Sequence, residues 1–340
     1  MHVLSTGRAG WARSARPGRL ATAVAITLAM VGAAVVGTGV AHADTASVVS
    51  EHWFDSREVD LTVFSPANNR TYPVRLLVPA GWSRTATRTW SVLYLLHGGN
   101  DDYTSWTRET DIESLSANYQ VLIVMPEAGR DADYADWYNP SGGPNAGLWE
   151  TFHLTEVWSV LQSGYRAGNL RSIAGISSGG TGAITYAARH PGMFKYAASY
   201  SGPMNLKDPV LQQVILYTAS NNGDDPNAIW GSPTDQASNW TAHNPLDLAA
   251  SLKGTGLYLS SGTTGLPGDL DPNGFWSPEQ FGEAVVGASN YALWGKLLFS
   301  YFILSTTDFY LNGTHSWPYW QRELHKSWPL LMSSLGVSAS

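Results

Sequence analysis

The chain of 340 residues has no cysteine, which excludes thiol catalysis, thiolate-bound zinc and any disulfide. Charge is scarce as well: Asp, Glu, Lys and Arg make up 14% of the residues against 44% hydrophobic ones, too apolar a balance for a disordered chain. The lysines are few and scattered (Lys195, Lys207, Lys253, Lys296 and Lys326), so no basic stripe follows a phosphate backbone and nucleic-acid binding is disfavoured. Internal repeats and low-complexity tracts are absent after the first forty or so residues. What is plentiful is Gly (34), Pro (18) and Trp (15), a mixture that breaks up coiled coils and calls for a globular fold. A domain of about 300 residues buries roughly three quarters of its unfolded surface, enough to hold itself together without cross-links.

At the N-terminus Arg8, Arg13, Arg16 and Arg19 precede an apolar, small-residue run from Leu20 to Val40 and then Ala41-His42-Ala43. That order reads as a secretory signal peptide, residues 1–43, cleaved at a small-x-small site. The run is nearly long enough to span a bilayer, but the cleavage site follows it directly. The remaining 44–340 reads as one domain. Its formal charge is more negative than the −7 of the whole chain, because four arginines and no acid are removed.

Two segments rich in Val, Leu and Tyr, Glu58 to Phe64 and Thr71 to Pro79, predict an antiparallel hairpin around the turn Pro66-Ala67-Asn68-Asn69. Trp90 to Leu96 and Gln120 to Met125 are continuous apolar runs of strand length, with a short helix expected at Asp111 to Asn118 between them. A helix over Leu154 to Tyr165, a strand over Ser172 to Ile176, a helix over Gly180 to Arg189, and strands at Tyr196 to Tyr200 and Gly256 to Ser260 continue the alternation. A helix from Pro278 to about Phe302 is announced by Ser277 as N-cap and Gln280 as capping-box partner. The strand Asp308 to Leu311 and a helix from Trp317 to about Leu335 close the chain. Residues 203–250 lack periodicity and read as an irregular excursion over the sheet edge. The fold class is therefore α/β, a mostly parallel central sheet with helices on both faces.

Gly175-Ile176-Ser177-Ser178-Gly179 matches G-x-S-x-G between a predicted strand and a predicted helix, the context in which that motif lifts a nucleophilic serine above a sheet. Serine needs a base, and in the α/β-hydrolase order both acid and histidine follow it. Of His190, His243, His315 and His325, only His315 lies in a loop directly after the last strand. His190 reads as a helix-end cap beside Pro191, and His325 as a solvated position mid-helix. The acid stays open among Asp269, Asp271, Glu279, Glu283 and Asp308, with Glu283 set among apolar neighbours. Asp269-Leu270-Asp271-Pro272-Asn273-Gly274 resembles the opening of a calcium loop, but Gln280 stands where a bidentate Glu belongs, so no metal is expected. Asp131, Asp133 and Asp136 read as a solvated loop. The backbone N–H groups of Ser178 and of Gly99, in His97-Gly98-Gly99, are the expected oxyanion donors.

The segments Leu95-Leu96, Asp101-Asp102-Tyr103 with Trp106, Val124-Met125-Pro126, Asp136-Trp137-Tyr138, Trp149-Glu150-Thr151-Phe152, Trp230-Gly231, Asn244-Pro245-Leu246 and Gly313-Thr314-His315-Ser316-Trp317, with the serine turn, resemble the secreted mycolyltransferases of mycobacteria, within the wider esterase D-like family. The resemblance covers nearly all of 44–340. It implies an α/β-hydrolase fold with Ser177 as nucleophile, His315 as base and Glu283 as acid, since Phe281-Gly282-Glu283 followed by Ser289-Asn290 falls where that family carries its glutamate. The chain departs from the family in the turn His97-Gly98-Gly99-Asn100, which lacks the aspartate and arginine that grip trehalose, and in having no cysteine in Asn139 to Gly147. The reading is a secreted acyl-transferring enzyme without cofactor. It acts as a monomer, in association with the cell envelope, on an acyl ester or lipid donor and an alcohol or sugar acceptor. Asn100, Asp102 and Trp317 are the expected substrate contacts, and Trp137 and Trp276 would line the approach. Plain carboxylester hydrolysis is the alternative; a non-catalytic carbohydrate- or matrix-binding protein is the rival of another class.

Overall fold

In the computed structural model, residues 45–271 and 278–339 are described. Among these described residues nine strands form one sheet: β1 (Ser47–Trp53), β2 (Glu58–Ser65), β3 (Arg70–Leu77), β4 (Trp90–Leu96), β5 (Val121–Pro126), β6 (Ala167–Ile176), β7 (Tyr196–Tyr200), β8 (Gly256–Gly262) and β9 (Thr306–Tyr310), in the order β1-β2-β3-β5-β4-β6-β7-β8-β9. The pairings β1/β2, β2/β3 and β3/β5 are antiparallel, and every pairing from β5 to β9 is parallel. The expected hairpin is β2/β3, closed through Asn69 in the left-handed region (φ 48°). Asparagine tolerates that conformation because its short polar side chain bonds locally.

Apolar continuity in the central strands follows from burial on both sides. In β4, Val92, Tyr94 and Leu96 enter the core on one face while Leu93 and Leu95 enter the core on the other. The first face is covered by the helical stretch before β6 and by α1 (Ser178–Arg189); the second is covered by α4 (Trp317–Ser334), through Trp320, Leu324, Trp328 and Leu331. The fold is thus an α/β-hydrolase fold with helices on both faces. Between α1 and α4 in sequence lie α2 (Pro209–Asn221) and α3 (Pro278–Tyr301). Among the described residues no helix is long and apolar enough to cross a membrane.

Three expectations are corrected. Residues 203–250 are not irregular: they hold α2 and shorter helices at Ala237–His243 and Pro245–Leu248. The helix expected at Leu154 to Tyr165 starts earlier, at Trp149, and passes through a π-helical stretch, Phe152–Val157, before ending at Gly164. An unanticipated strand, β1, adds an edge to the hairpin, and its residues are mostly exposed. Ser277, the expected cap of α3, lies outside the described residues.

Candidate active site

Ser177 stands between β6 and α1 with φ 50° and ψ −127°, a conformation costly for any residue with a Cβ. The glycines around it make the turn sterically possible. A Cβ on Gly175 would lie 2.2 Å from the carbonyl oxygen of Gly179, and one on Gly179 would lie 2.3 Å from that of His97. The Ser177 amide donates to the carbonyl of Tyr200 (2.9 Å), which ties the turn to the end of β7.

His315 comes from the loop between β9 and α4, Glu283 from α3. His315 Nε2 lies 2.8 Å from Ser177 Oγ, and His315 Nδ1 lies 2.7 Å from Glu283 Oε2. Glu283 is fully buried, and its Oε1 accepts from Ser201 Oγ (2.8 Å) and the Gly262 amide (2.6 Å). A carboxylate so placed has its lone pairs occupied by donors, the condition for keeping a charge away from water. Tyr310 Oη also points at Glu283 Oε1 (3.5 Å), and burial together with the Glu283 charge pushes the Tyr310 phenol up, so it stays protonated.

The turn after β4 reaches over the serine. A Cβ on Gly98 would meet Ile176 Cδ1 at 2.6 Å, and one on Gly99 would be 3.5 Å from Ser178 Oγ. Asn100, with φ 58°, is pinned by its amide donating to the carbonyl of Arg130 (2.6 Å). Two cavities meet at Ser177. One, of about 340 Å³, is lined by His315, Trp317, Trp320, Asn100 and Asp101; the other, of about 200 Å³, by Ser178, Asp131, Asp133, Val214 and Ile215, with Gly99, Asn100 and Ser177 common to both. A groove of about 650 Å³ does not touch Ser177; it runs along α4 from Trp317 to Lys326.

Ser177, Glu283, His315, Gly99, Ser178, Asn100 and Trp317 are thus gathered in one place. Asp102 is not with them. Its carboxylate turns away to accept from the amide (2.8 Å) and hydroxyl (2.5 Å) of Thr104, because the chain enters a short helix there; Asp101 faces the cavity instead, held by Arg108 Nη2 (2.6 Å). Trp137 lines no approach either, being 3% exposed in the core, and Trp276 lies outside the described residues. Nor do Asp131, Asp133 and Asp136 form a solvated loop. Asp131 is 4% exposed, Asp133 is half-buried, and Asp136 accepts from the Thr151 amide (2.9 Å) and hydroxyl (2.6 Å).

The other histidines after the serine are held elsewhere: His190 on Glu150 (2.6 Å), His243 against Trp230, and His325 on Asp111 (2.8 Å) rather than in water alone. Asp271 accepts from the Gly268 amide (2.8 Å), Thr314 Oγ1 (2.5 Å) and Tyr319 Oη (2.7 Å). Its carboxylate thereby fastens the His315 loop, a role that sequence spacing does not signal. Among the described residues no group of three or more His, Cys, Asp or Glu side chains is arranged to hold a metal ion.

A strained serine at a strand-to-helix turn, facing a histidine over a parallel sheet, defines an α/β-hydrolase-class enzyme. Residues 65–331 match the Esterase family model, and the chain belongs to that family. It is 33% identical over 257 residues to the diacylglycerol acyltransferase/mycolyltransferase Ag85B of Mycobacterium intracellulare, spanning 73% of this chain and 76% of that one. Among solved structures, MPT51 of Mycobacterium tuberculosis superposes with a TM-score of 0.65 at 24% identity, covering 83% of this chain and all of that one. A fluorophosphonate-binding serine hydrolase of Staphylococcus aureus superposes with a TM-score of 0.61 at 19% identity, over 81% of this chain and 97% of that one.

Proposed function

We propose that the chain is an exported acyl-transfer enzyme in which Ser177 attacks an acyl ester, His315 takes the serine proton and returns it to the leaving alcohol, and Glu283 orients His315 and stabilises its imidazolium. The observation that carries this reading is the unbroken hydrogen-bond chain Ser177 Oγ, His315, Glu283, with the far carboxylate oxygen fully occupied. In the tetrahedral intermediate the amides of Gly99 and Ser178 receive the oxyanion. A second alcohol or water then attacks the acyl-enzyme, with His315 as base. Residues 1–43 act as the export signal and leave 44–340 as the working domain; its cell-envelope association belongs to the same proposal.

The acceptor enters on the His315 side, since that imidazole must reach both the departing and the incoming oxygen. Asp101, paired with Arg108, offers a carboxylate to a hydroxyl there, and Trp317 offers an aromatic wall. This supports an alcohol or sugar acceptor, and transfer rather than hydrolysis is what the acyltransferase names of the relatives describe. Water remains the second reading, favoured by the absence of an Asp and Arg within His97-Gly98-Gly99-Asn100 itself. A silent binding protein is disfavoured, because a pure binder gains nothing from a strained serine bonded to a histidine.

The test is labelling by a fluorophosphonate and turnover of an acyl ester, with Ser177→Ala as control. Both are expected to fall on the order of a thousandfold or more in the variant. Retention of a tenth of the activity in a folded variant sinks the assignment. Mass spectrometry of products formed with equimolar trehalose, glucose and glycerol then separates the readings: sugar or glycerol esters support transfer, free acid alone supports hydrolysis.

A further inference from the structure

The smaller cavity beside Ser177 has a polar end that the proposed chemistry leaves unused. Asp131 Oδ1 accepts from Asn222 Nδ2, but its Oδ2 is buried with no donor, and Ser178 Oγ, on the same cavity, is likewise buried without a partner. Asp133 faces the same space, and a third acid, Asp224, stands beside Asp131 while accepting from Asn145. Val214 and Ile215 of α2 supply the apolar part of the wall. Two acids thus line a pocket of about 200 Å³ that Pro203, Val214 and Ile215 also wall, and the third stands beside Asp131.

Position within the site says which part of a substrate goes there. The leaving and accepting oxygens must meet His315, which lines the other cavity only. The cavity on the far side of Ser177 and Gly99 is left for the acyl group. Its size admits a short acyl chain, and its acids present acceptors with too few donors.

We propose that this cavity is an acyl subsite for a short acyl group ending in a hydrogen-bond donor, an ammonium above all, held by Asp131 and Asp133. The proposal deepens the acyl-enzyme reading and rests on Ser177 being the nucleophile. A buried acceptor without a donor is destabilising, and a cationic donor relieves both that and the repulsion between the acids. The state of the acids agrees: burial, with the neighbouring acid Asp224, holds Asp131 up at about 6, and burial with Asp131 and Asp224 holds Asp133 well above the usual carboxylate range. Groups so raised are stabilised in their charged form by an incoming cation.

The experiment compares p-nitrophenyl esters of matched shape on the wild-type enzyme: β-alanyl, 3-hydroxypropanoyl and butanoyl, then ε-aminohexanoyl and heptanoyl for a longer reach. At one of the two lengths kcat/KM for the ammonium ester should exceed that for its alkyl isostere by about tenfold or more, the scale of one buried charge-assisted hydrogen bond. The hydroxyl ester should fall between. Asp133→Asn and Asp131→Asn should each bring the ratio back toward one. A wild-type ratio at or below one at both lengths overturns the subsite without any variant having to fold; so does a ratio that both Asn variants leave unchanged. A hydroxyl ester faster than the ammonium ester overturns the cationic preference. If butanoyl hydrolysis survives Ser177→Ala, the nucleophile assignment has failed. If it vanishes there and the ratio is flat, the subsite alone has failed.

Discussion

Glu283 illustrates how one side chain is fixed by its donors. Its Oε1 faces the Gly262 amide and the Ser201 hydroxyl, so the NH2 of a glutamine would either meet a donor there or turn toward His315 Nδ1. Glu283→Gln is therefore expected to lower kcat on the order of a hundred- to ten-thousandfold with little change in KM, read from steady-state kinetics. In the same assay Asp269→Asn, at an exposed position, should be silent. Asp271→Asn should cost several-fold, because an amide cannot accept from Gly268, Thr314 and Tyr319 together. Sequence pattern leaves five acids open because order along the chain does not say which carboxylate faces the histidine; that depends on the face of α3 turned to β8. The serine and its base are legible, since the strand-to-helix context and the loop after the last strand are both local signals. A different histidine carries a pH dependence. His153 is wholly buried, its Nε2 donating to the Glu127 carbonyl (2.8 Å) and its Nδ1 accepting from Tyr186 Oη (3.0 Å), and burial drives its pKa down to about 3 from 6.5. The folded value lies below the unfolded one, so the unfolded chain binds the extra proton first. The stability tied to a neutral His153 is complete above about pH 6.5 and is lost progressively as pH falls toward 3. Imidazole nitrogen shifts at pH 5 should show His153 neutral; a protonated signal from it there would contradict the burial argument.

Helix α2 shows why an element escapes pattern reading. Val210, Leu211, Val214, Ile215, Leu216 and Tyr217 are spread around the helix rather than along one stripe, and Val210, Val214 and Tyr217 remain exposed, so no single apolar face announces it. A start signal was nonetheless present. Asp208 accepts from the amides of Val210 (2.9 Å) and Leu211 (3.3 Å), and Pro209 occupies the first helical position, a pairing that marks helix starts. Asp208→Ala should destabilise α2 by about 1 kcal/mol. Amide hydrogen exchange should then quicken across Pro209–Asn221 while the central strands keep their protection. Uniform loss of protection throughout the molecule would show instead that α2 unfolds only with everything else.

For the whole molecule, the centre of the sheet is readable because β4 and β5 are buried on both faces and appear as continuous apolar runs, with a shorter buried stretch, Ile173 to Ile176, ending β6. β1 is not, because an edge strand with mostly exposed residues has neither a run nor an alternation to display. The bond between Ser177 and His315 joins residues 138 apart, while that between Ser201 and Glu283 joins residues 82 apart. Such closures come late, since long loops must be closed before the contacts they bring can reward them. Catalysis should therefore serve as a clock for folding. On dilution from urea, tryptophan fluorescence should recover most of its change while ester turnover is still absent, and turnover should rise only with the slowest phase. Turnover returning with the first phase would mean that the ends of β6, β8 and β9 meet early, and that the order of assembly runs opposite to sequence distance.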